Sequence, residues 1–136
     1  MAYNNQQRSL AMEAAADLSS HQFKIVELTT TANNVQLAQL NAGFGVLQNI
    51  PQSGEAATVA VDGESKVIAG AALTIGQYVT AKSGGWAIPV NSGDAPPLKI
   101  MGQVMLGASS GGIGTITIRH MMVPNVISGD IVAALP

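Results

Sequence analysis

From Gln22 onward, apolar residues recur at alternate positions in short runs, and clusters of Gly, Pro, Asn and Ser separate the runs. Phe23, Ile25 and Val26 in FKIVEL predict a first strand. TTTANN predicts a turn, and Val35, Leu37 and Leu40 in VQLAQL a returning strand. NAGFG breaks the pattern. GVLQN (Gly45–Asn49) predicts the next strand, and IPQSGEA a loop with Pro51 and Ser53-Gly54 as its turn residues. ATVAV (Ala57–Val61) resumes the alternation. Asp62-Gly63 fits a type I′ hairpin or a bulge within one long strand that continues into KVIAG, and the bulge is preferred. GAALTIG is a connection. QYVTAK and WAIPV flank Gly84-Gly85 as a hairpin, NSGDAPP is a loop, and IMGQVML and GTITIRHMMV are strands around GASSGG. Asp130–Ala133 predicts a last short strand.

The pattern occurs twice. Gly45–Val61 aligns without a gap on Gly102–Ile118, an offset of 57 residues (102 less 45). Leu47 meets Val104, Ser53-Gly54 meets Ser110-Gly111, Thr58-Val59 meets Thr115-Ile116, and Val61 meets Ile118. The hairpins that precede the two stretches also correspond, so the repeat covers about 22–61 and 77–118. One hairpin plus one strand pair cannot bury both of its faces, whereas two such units can close a small barrel or sandwich around a core. The expected fold is therefore all-β, a small barrel-like or sandwich domain over residues 21–118.

The flanks read differently. MAYNNQQRSL is polar and without period, and SLAMEAAADL is rich in helix formers, with Ser9 as a possible N-cap and Met12-Glu13 in the first turn. So short a helix is marginal alone in water. Residues 1–20 are read as an N-terminal arm that orders against a partner, the alternative being a frayed terminus. Residues 119–136 are read as a C-terminal extension packing on the β domain or on a neighbouring subunit.

Composition narrows the function. The 136 residues are 47% hydrophobic but only 10% charged, against about 25% charged in ordinary soluble domains. Such a chain hides surface against a partner or relies on uncharged polar residues. A net charge of −2 with six scattered basic residues argues against nucleic acid, which needs a basic patch to displace counterions. Cysteine is absent, which excludes disulfides, thiolate metal sites and a cysteine nucleophile. Val67–Ile75 is the best apolar run, at nine residues too short to span a membrane, and Glu13 and Asp17 interrupt any signal-peptide core.

Motifs of catalysis fail on context. Gly107–Gly111 matches the G-x-S-x-G nucleophile elbow, but a strand follows it where a helix is required, and Asp130 comes after His120, the reverse of the elbow's order. GASSGGIGT lacks the lysine of a phosphate loop. His21 and His120 have no partner at metal-ligand spacing. Met101, Met105, Met121 and Met122 gather on the late strands, where Met101 and Met105 share a face at strand spacing; they are core filling or an adaptable binding surface. Tyr78 and Trp86 are core residues or interface anchors.

Three stretches together carry a family resemblance: DLSSHQFKIVEL, then GVLQNIPQSGEAATVAVDGESKVIAGAALTIGQYVTAKSGGWAI, then GQVMLGASSGGIGTITI. They resemble the capsid decoration, or cement, proteins of tailed bacteriophages, over about Asp17 to Ile118. The resemblance implies a small β-tulip or barrel-like module, a structural, non-enzymatic protein with no cofactor, metal, nucleic-acid, membrane or small-molecule partner. It implies a homotrimer on the outer surface of the expanded icosahedral head, at three-fold and quasi-three-fold sites, bridging major capsid protein subunits. On this reading the contact candidates toward the capsid are Tyr3, Arg8, Leu10, Met12 and Phe23. Those within the trimer are Trp86, Met121, Met122, Val123 and Val126. The alternatives are a tail, baseplate or minor head component, or a small β-barrel holding a glycan near Trp86.

Overall fold

The computed structural model describes residues 7–91 and 98–123. Among the described residues the chain forms nine strands: β1 (Gln7–Ala14), β2 (Ile25–Leu28), β3 (Asn34–Leu37), β4 (Gly45–Leu47), β5 (Ala56–Ile68), β6 (Tyr78–Lys82), β7 (Trp86–Pro89), β8 (Leu98–Leu106) and β9 (Ile113–Val123). They make one mixed sheet in the order β1-β3-β2-β4-β5-β9-β8-β6-β7. β1 also pairs with β5, so the pairing β1-β3-β2-β4-β5-β1 closes a partial ring within the sheet.

The two sequence copies lie in matching registers. In the first, Val46 pairs with Ala60 and Leu47 with Val59. In the second, Gln103 pairs with Thr117 and Val104 with Ile116. Each pair of the second is displaced from its counterpart by the same 57 residues (103 less 46, 117 less 60). The preceding hairpins dock alike as well, β2 on β4 and β6 on β8. β5 and β9 then join the halves over six residue pairs, Gly63–Ile68 against Ile113–Ile118.

Gly45 and Gly102 hold equivalent places for one steric reason. A Cβ on Gly45 would lie 2.5 Å from the Ala60 carbonyl oxygen, and one on Gly102 would strike the Thr117 carbonyl oxygen harder still. Only a residue without a side chain lets the strands approach this closely. Gly63, at φ 87, lies inside β5, so Asp62-Gly63 does not close a hairpin. β5 runs through it as one strand, and the β1–β5 register slips between Arg8 and Ser9 so that Val61 is skipped.

Two apolar clusters hold the sheet. Ile25, Val46, Ala60, Val67, Val79, Met101, Val104, Ile116 and Ile118 belong to the larger. Ala14, Leu18, Val26, Val35, Leu47, Ala57 and Val59 form the smaller, with Met12, Leu37, Phe44 and Val61 packed against it. Neighbours in sequence divide between them: Ile25 and Val26, Val46 and Leu47, Ala60 and Val59. At these adjacent positions β2, β4 and β5 are buried on both faces, while Leu28, Ala56 and Thr58 of the same strands stay exposed.

Three expectations need correction. Ser9–Leu18 is not a helix: Gln7–Ala14 is an extended strand, antiparallel to β5 from Gln7–Gly63 to Glu13–Ala56 and parallel to β3 at Glu13–Asn34 and Ala14–Val35. Good helix formers yield to the tertiary site, where Met12, Ala14 and Leu18 roof the smaller cluster. Phe23 precedes the strand rather than opening it, with φ at 68°. Its amide donates to the Leu47 carbonyl at 2.7 Å and its carbonyl accepts from the Ile68 amide at 3.0 Å, contacts that hold a bulky residue in the left-handed region at a cost of about 1–3 kcal/mol. Met101 and Met105 do not share a fate: Met101 is fully buried and Met105 is 46% exposed, because register shifts in β8 between Ile100 and Gly102 and between Val104 and Leu106 separate them. The expected strand at Asp130–Ala133 lies outside the described residues.

Candidate functional site

The structure distributes the sequence candidates over several surfaces. Arg8 and Leu10 are exposed on β1, and Met12 on the same strand is half-buried against the smaller cluster. Phe23 is half-buried, its ring 5.6 Å from the Lys66 Nζ. Trp86 begins β7 and packs its Cβ over Gly70, while the Lys24 Nζ stands 3.8 Å from its ring centroid. Burial lowers the Lys24 pKa. Met121 is half-buried in β9, and Met122 and Val123 follow it in the same strand. Tyr3 and Val126 lie outside the described residues. β1 therefore carries Arg8, Leu10 and Met12 on one strand, Phe23 lies in a cleft with Gln7 of β1 and Thr115 of β9, and Trp86 stands on β7.

The sequence search missed the turn end of the second hairpin. Leu106 is 58% exposed, Ile113 52% and Ile75 68%. Ile75 lies beside β8, since the amide of the next residue, Gly76, donates to the Val104 carbonyl at 2.9 Å. With Met105 these side chains give the hairpin an apolar, solvent-facing end. The signal was present in the repeat: the equivalents of Met105, Leu106 and Ile113 in the first copy are Gln48, Asn49 and Ala56. There Asn49 binds its own hairpin, donating to the Ala56 carbonyl at 3.0 Å and accepting from the Thr58 amide at 3.0 Å.

A cleft of about 360 Å³ lies between Gln7, Phe23, Gln48, Glu64, Ser65, Lys66 and Thr115. Its amides are already engaged. Gln48 Nε2 donates to the Ser65 hydroxyl at 2.9 Å and to the Val46 carbonyl at 3.0 Å, and Gln7 Nε2 donates to the Glu64 carbonyl at 3.0 Å. They lock β1 and β4 to β5 and leave few polar groups to orient a ligand. A second groove, of about 370 Å³, is lined by Leu10, Phe44, Val61, Lys99 and His120. Burial and the nearby Lys99 lower the His120 pKa, against Asp62 and hydrogen bonds to the backbone of Phe44 and Val61. His21 is lowered chiefly by burial as well, and its Nδ1 is buried without a hydrogen-bond partner. Among the described residues no three His, Cys, Asp or Glu side chains converge as a metal site, and no helix is long and apolar enough to cross a membrane. Ser109 sits in the bend beside an isolated Leu73–Ala108 bridge, the turn reading of G-x-S-x-G.

No protein-family model matches the sequence, and no curated protein does. A solved structure matches the fold over nearly its whole length. The chain resembles a phage head-fiber base. That structure is the N base of head fiber gp8.5 of bacteriophage phi29, with a TM-score of 0.65 over 87% of this chain and 98% of that one. At 17% identity the likeness to the head-fiber base is one of fold.

Proposed function

We propose that the chain is a structural, non-enzymatic component of a tailed-phage virion, seated on the outside of the head. The observation that carries this reading is the fold shared with a head-fiber base, of which 98% is covered. The sequence resemblance to decoration proteins supports it independently. In the finer form of the proposal the protein binds the expanded shell as a homotrimer at three-fold and quasi-three-fold sites and bridges major capsid protein subunits. The duplicated unit then serves as a β-tulip scaffold. Each bound subunit adds interface where capsid subunits meet, and many copies turn small gains into a large one. Preference for the expanded form would shift the shell toward the state bound.

Arg8, Leu10 and Met12, with Tyr3 ahead of them, are proposed to face the capsid, and Met121, Met122, Val123, Val126 and Trp86 to lie between subunits. Because Ala14 is buried and Met12 packs on the smaller cluster, removing residues 1–16 would damage the fold. Arg8→Glu and a deletion of residues 1–6 are the cleaner probes.

A second reading follows from the same likeness: the domain is the anchoring base of a longer appendage, not a free-standing cement. Co-sedimentation of the purified protein with expanded, undecorated heads, with copies counted per particle, tests both. Saturation at a number matching the three-fold sites supports cementing. Saturation at a smaller, fixed number supports an appendage base. No binding by folded protein overturns both.

A further inference from the structure

Phe23 belongs to neither apolar cluster, nor to the residues packed against them. It stands instead in the cleft among Gln7, Gln48, Ser65, Lys66 and Thr115, all polar, with the Lys66 Nζ 5.6 Å from its ring centroid. The duplicated unit shows what the backbone asks for at this place. The Phe23 amide donates to the Leu47 carbonyl at 2.7 Å, and the Leu47 amide to the Lys24 carbonyl at 2.9 Å. Val104 is the counterpart of Leu47. Its carbonyl accepts from the Gly76 amide at 2.9 Å, and its amide donates to the Gln77 carbonyl at 2.8 Å. Phe23 therefore occupies the place of Gly76, and both are left-handed, at φ 68 and φ 93. Glycine takes that conformation without strain and a bulky residue does not. A Cβ on Gly76 would meet nothing within 4 Å, so the second copy is built without a side chain there.

We propose that Phe23 is kept in its strained position as a contact residue, and that its ring and the surrounding cleft receive an apolar side chain of the major capsid protein. Membership of the core does not account for the ring, and strain held against a glycine alternative points to a use outside the fold. Aromatic anchors carry a large share of the energy at protein interfaces. The Gln7 and Gln48 amides are engaged within the subunit. That leaves the ring as the recognising group, which suits an apolar side chain better than a polar small molecule. The position of the cleft argues for the capsid. Gln7 also lines the neighbouring cleft, with Arg8, Asp62 and Gly63, so Phe23 continues the surface of β1 proposed to face the head. The inference rests on that reading of head attachment and adds an anchor to it.

The test titrates expanded, undecorated heads with the full-length protein and with Phe23→Gly, Phe23→Asn and Phe23→Ala, and unfolds each variant in urea. Glycine and asparagine both tolerate the left-handed region, whereas alanine keeps the strain and loses the ring. The expected result is head binding at least about tenfold weaker in all three. The urea midpoint of Phe23→Gly should be no lower than that of Phe23→Ala, the reverse of the order at unstrained positions. Folded Phe23→Gly and Phe23→Asn proteins that bind as tightly as the parent would overturn the proposal and leave head attachment intact. Failure of both variants to fold would overturn it by making the ring structural, and a higher midpoint for Phe23→Ala by removing the strain. A parent that binds no heads would remove head attachment and this inference together.

Discussion

The hairpins β4–β5 and β8–β9 share a register and a pair of obligatory glycines, yet they meet their surroundings in opposite ways. In β4–β5 the pair Val46 and Ala60 packs in the larger cluster and the pair Leu47 and Val59 in the smaller. In β8–β9 the inward pair Val104 and Ile116 is buried in the larger cluster, but the other face carries Gln103 and Thr117, both half-buried. The turn ends differ as well: the first copy closes on itself through Asn49 and exposes one large apolar side chain, Ile50, whereas the second exposes Met105, Leu106 and Ile113. One backbone plan thus serves as a two-sided wall in one place and a one-sided wall with a contact end in the other. The residues that decide between these roles are those off the shared face.

The sharpest way to break the comparison is at the glycines. Gly102→Ala sets a methyl group against the Thr117 carbonyl, where backbone must move on both strands. Overpacking of this kind costs about 3 kcal/mol or more. Gly45→Ala is expected to cost somewhat less, since its Cβ would lie 2.5 Å from the Ala60 oxygen. Urea unfolding of both variants should rank them in that order, and a null effect at either position would mean that the close approach is absent. Next come the leucines. Leu47→Ala empties a fully buried site and is expected to cost about 2–5 kcal/mol. Leu106→Ala, 58% exposed, should stay within about 0.5 kcal/mol. If Leu106→Asp also leaves stability unchanged but weakens binding to heads, the open end is a contact surface. Unchanged binding would assign it no part in attachment.

Much of this contrast was legible in the sequence. The hairpin at Gly84-Gly85 and the single long strand through Asp62-Gly63 follow from local signals, paired glycines and alternation. The strand β1 was not legible, because alanine, leucine, methionine and glutamate favour a helix, and a strand forms there only through β5 and β3. No local signal states that a distant partner is waiting. Phe23 was hidden for a related reason, since a positive φ at a bulky residue is imposed by its hydrogen bonds to Leu47 and Ile68. The division of adjacent residues between two clusters was half visible, in the apolar pairs Ile25-Val26, Val46-Leu47 and Val59-Ala60. The contact end of β8–β9 could have been found by comparing the copies position by position, where Asn49 faces Leu106.

Asn49 gives a smaller effect of its own. Asn49→Ala removes the two hydrogen bonds its side chain makes across the first turn, and about 1 kcal/mol should be lost, because water can replace much of what an exposed loop gives up. The equivalent change at Leu106 removes no hydrogen bond. The difference between the two variants therefore measures how far the first turn depends on its side chain.

The smallest expected effect is on pH, and it separates the halves by their histidines, His21 before β2 and His120 in β9. Both pKa values lie below the ordinary 6.5, chiefly through burial. The folded state therefore binds fewer protons than the unfolded chain between each lowered value and 6.5. Stability then rises with pH through that window, is fully present above it, and is lost as the pH falls through 6.5 toward the folded-state values. His21 should contribute more per residue, since its Nδ1 is buried without a partner, whereas His120 is exposed enough for solvent to screen it. Urea midpoints measured from pH 8 to pH 5 should fall less steeply for His21→Gln than for the parent, with a weaker flattening for His120→Gln. A parent slope unchanged by either substitution would move the acid sensitivity to the carboxylates. A larger change at His120 would show that the groove beside it is drier than its walls of Leu10, Phe44 and Val61 make it.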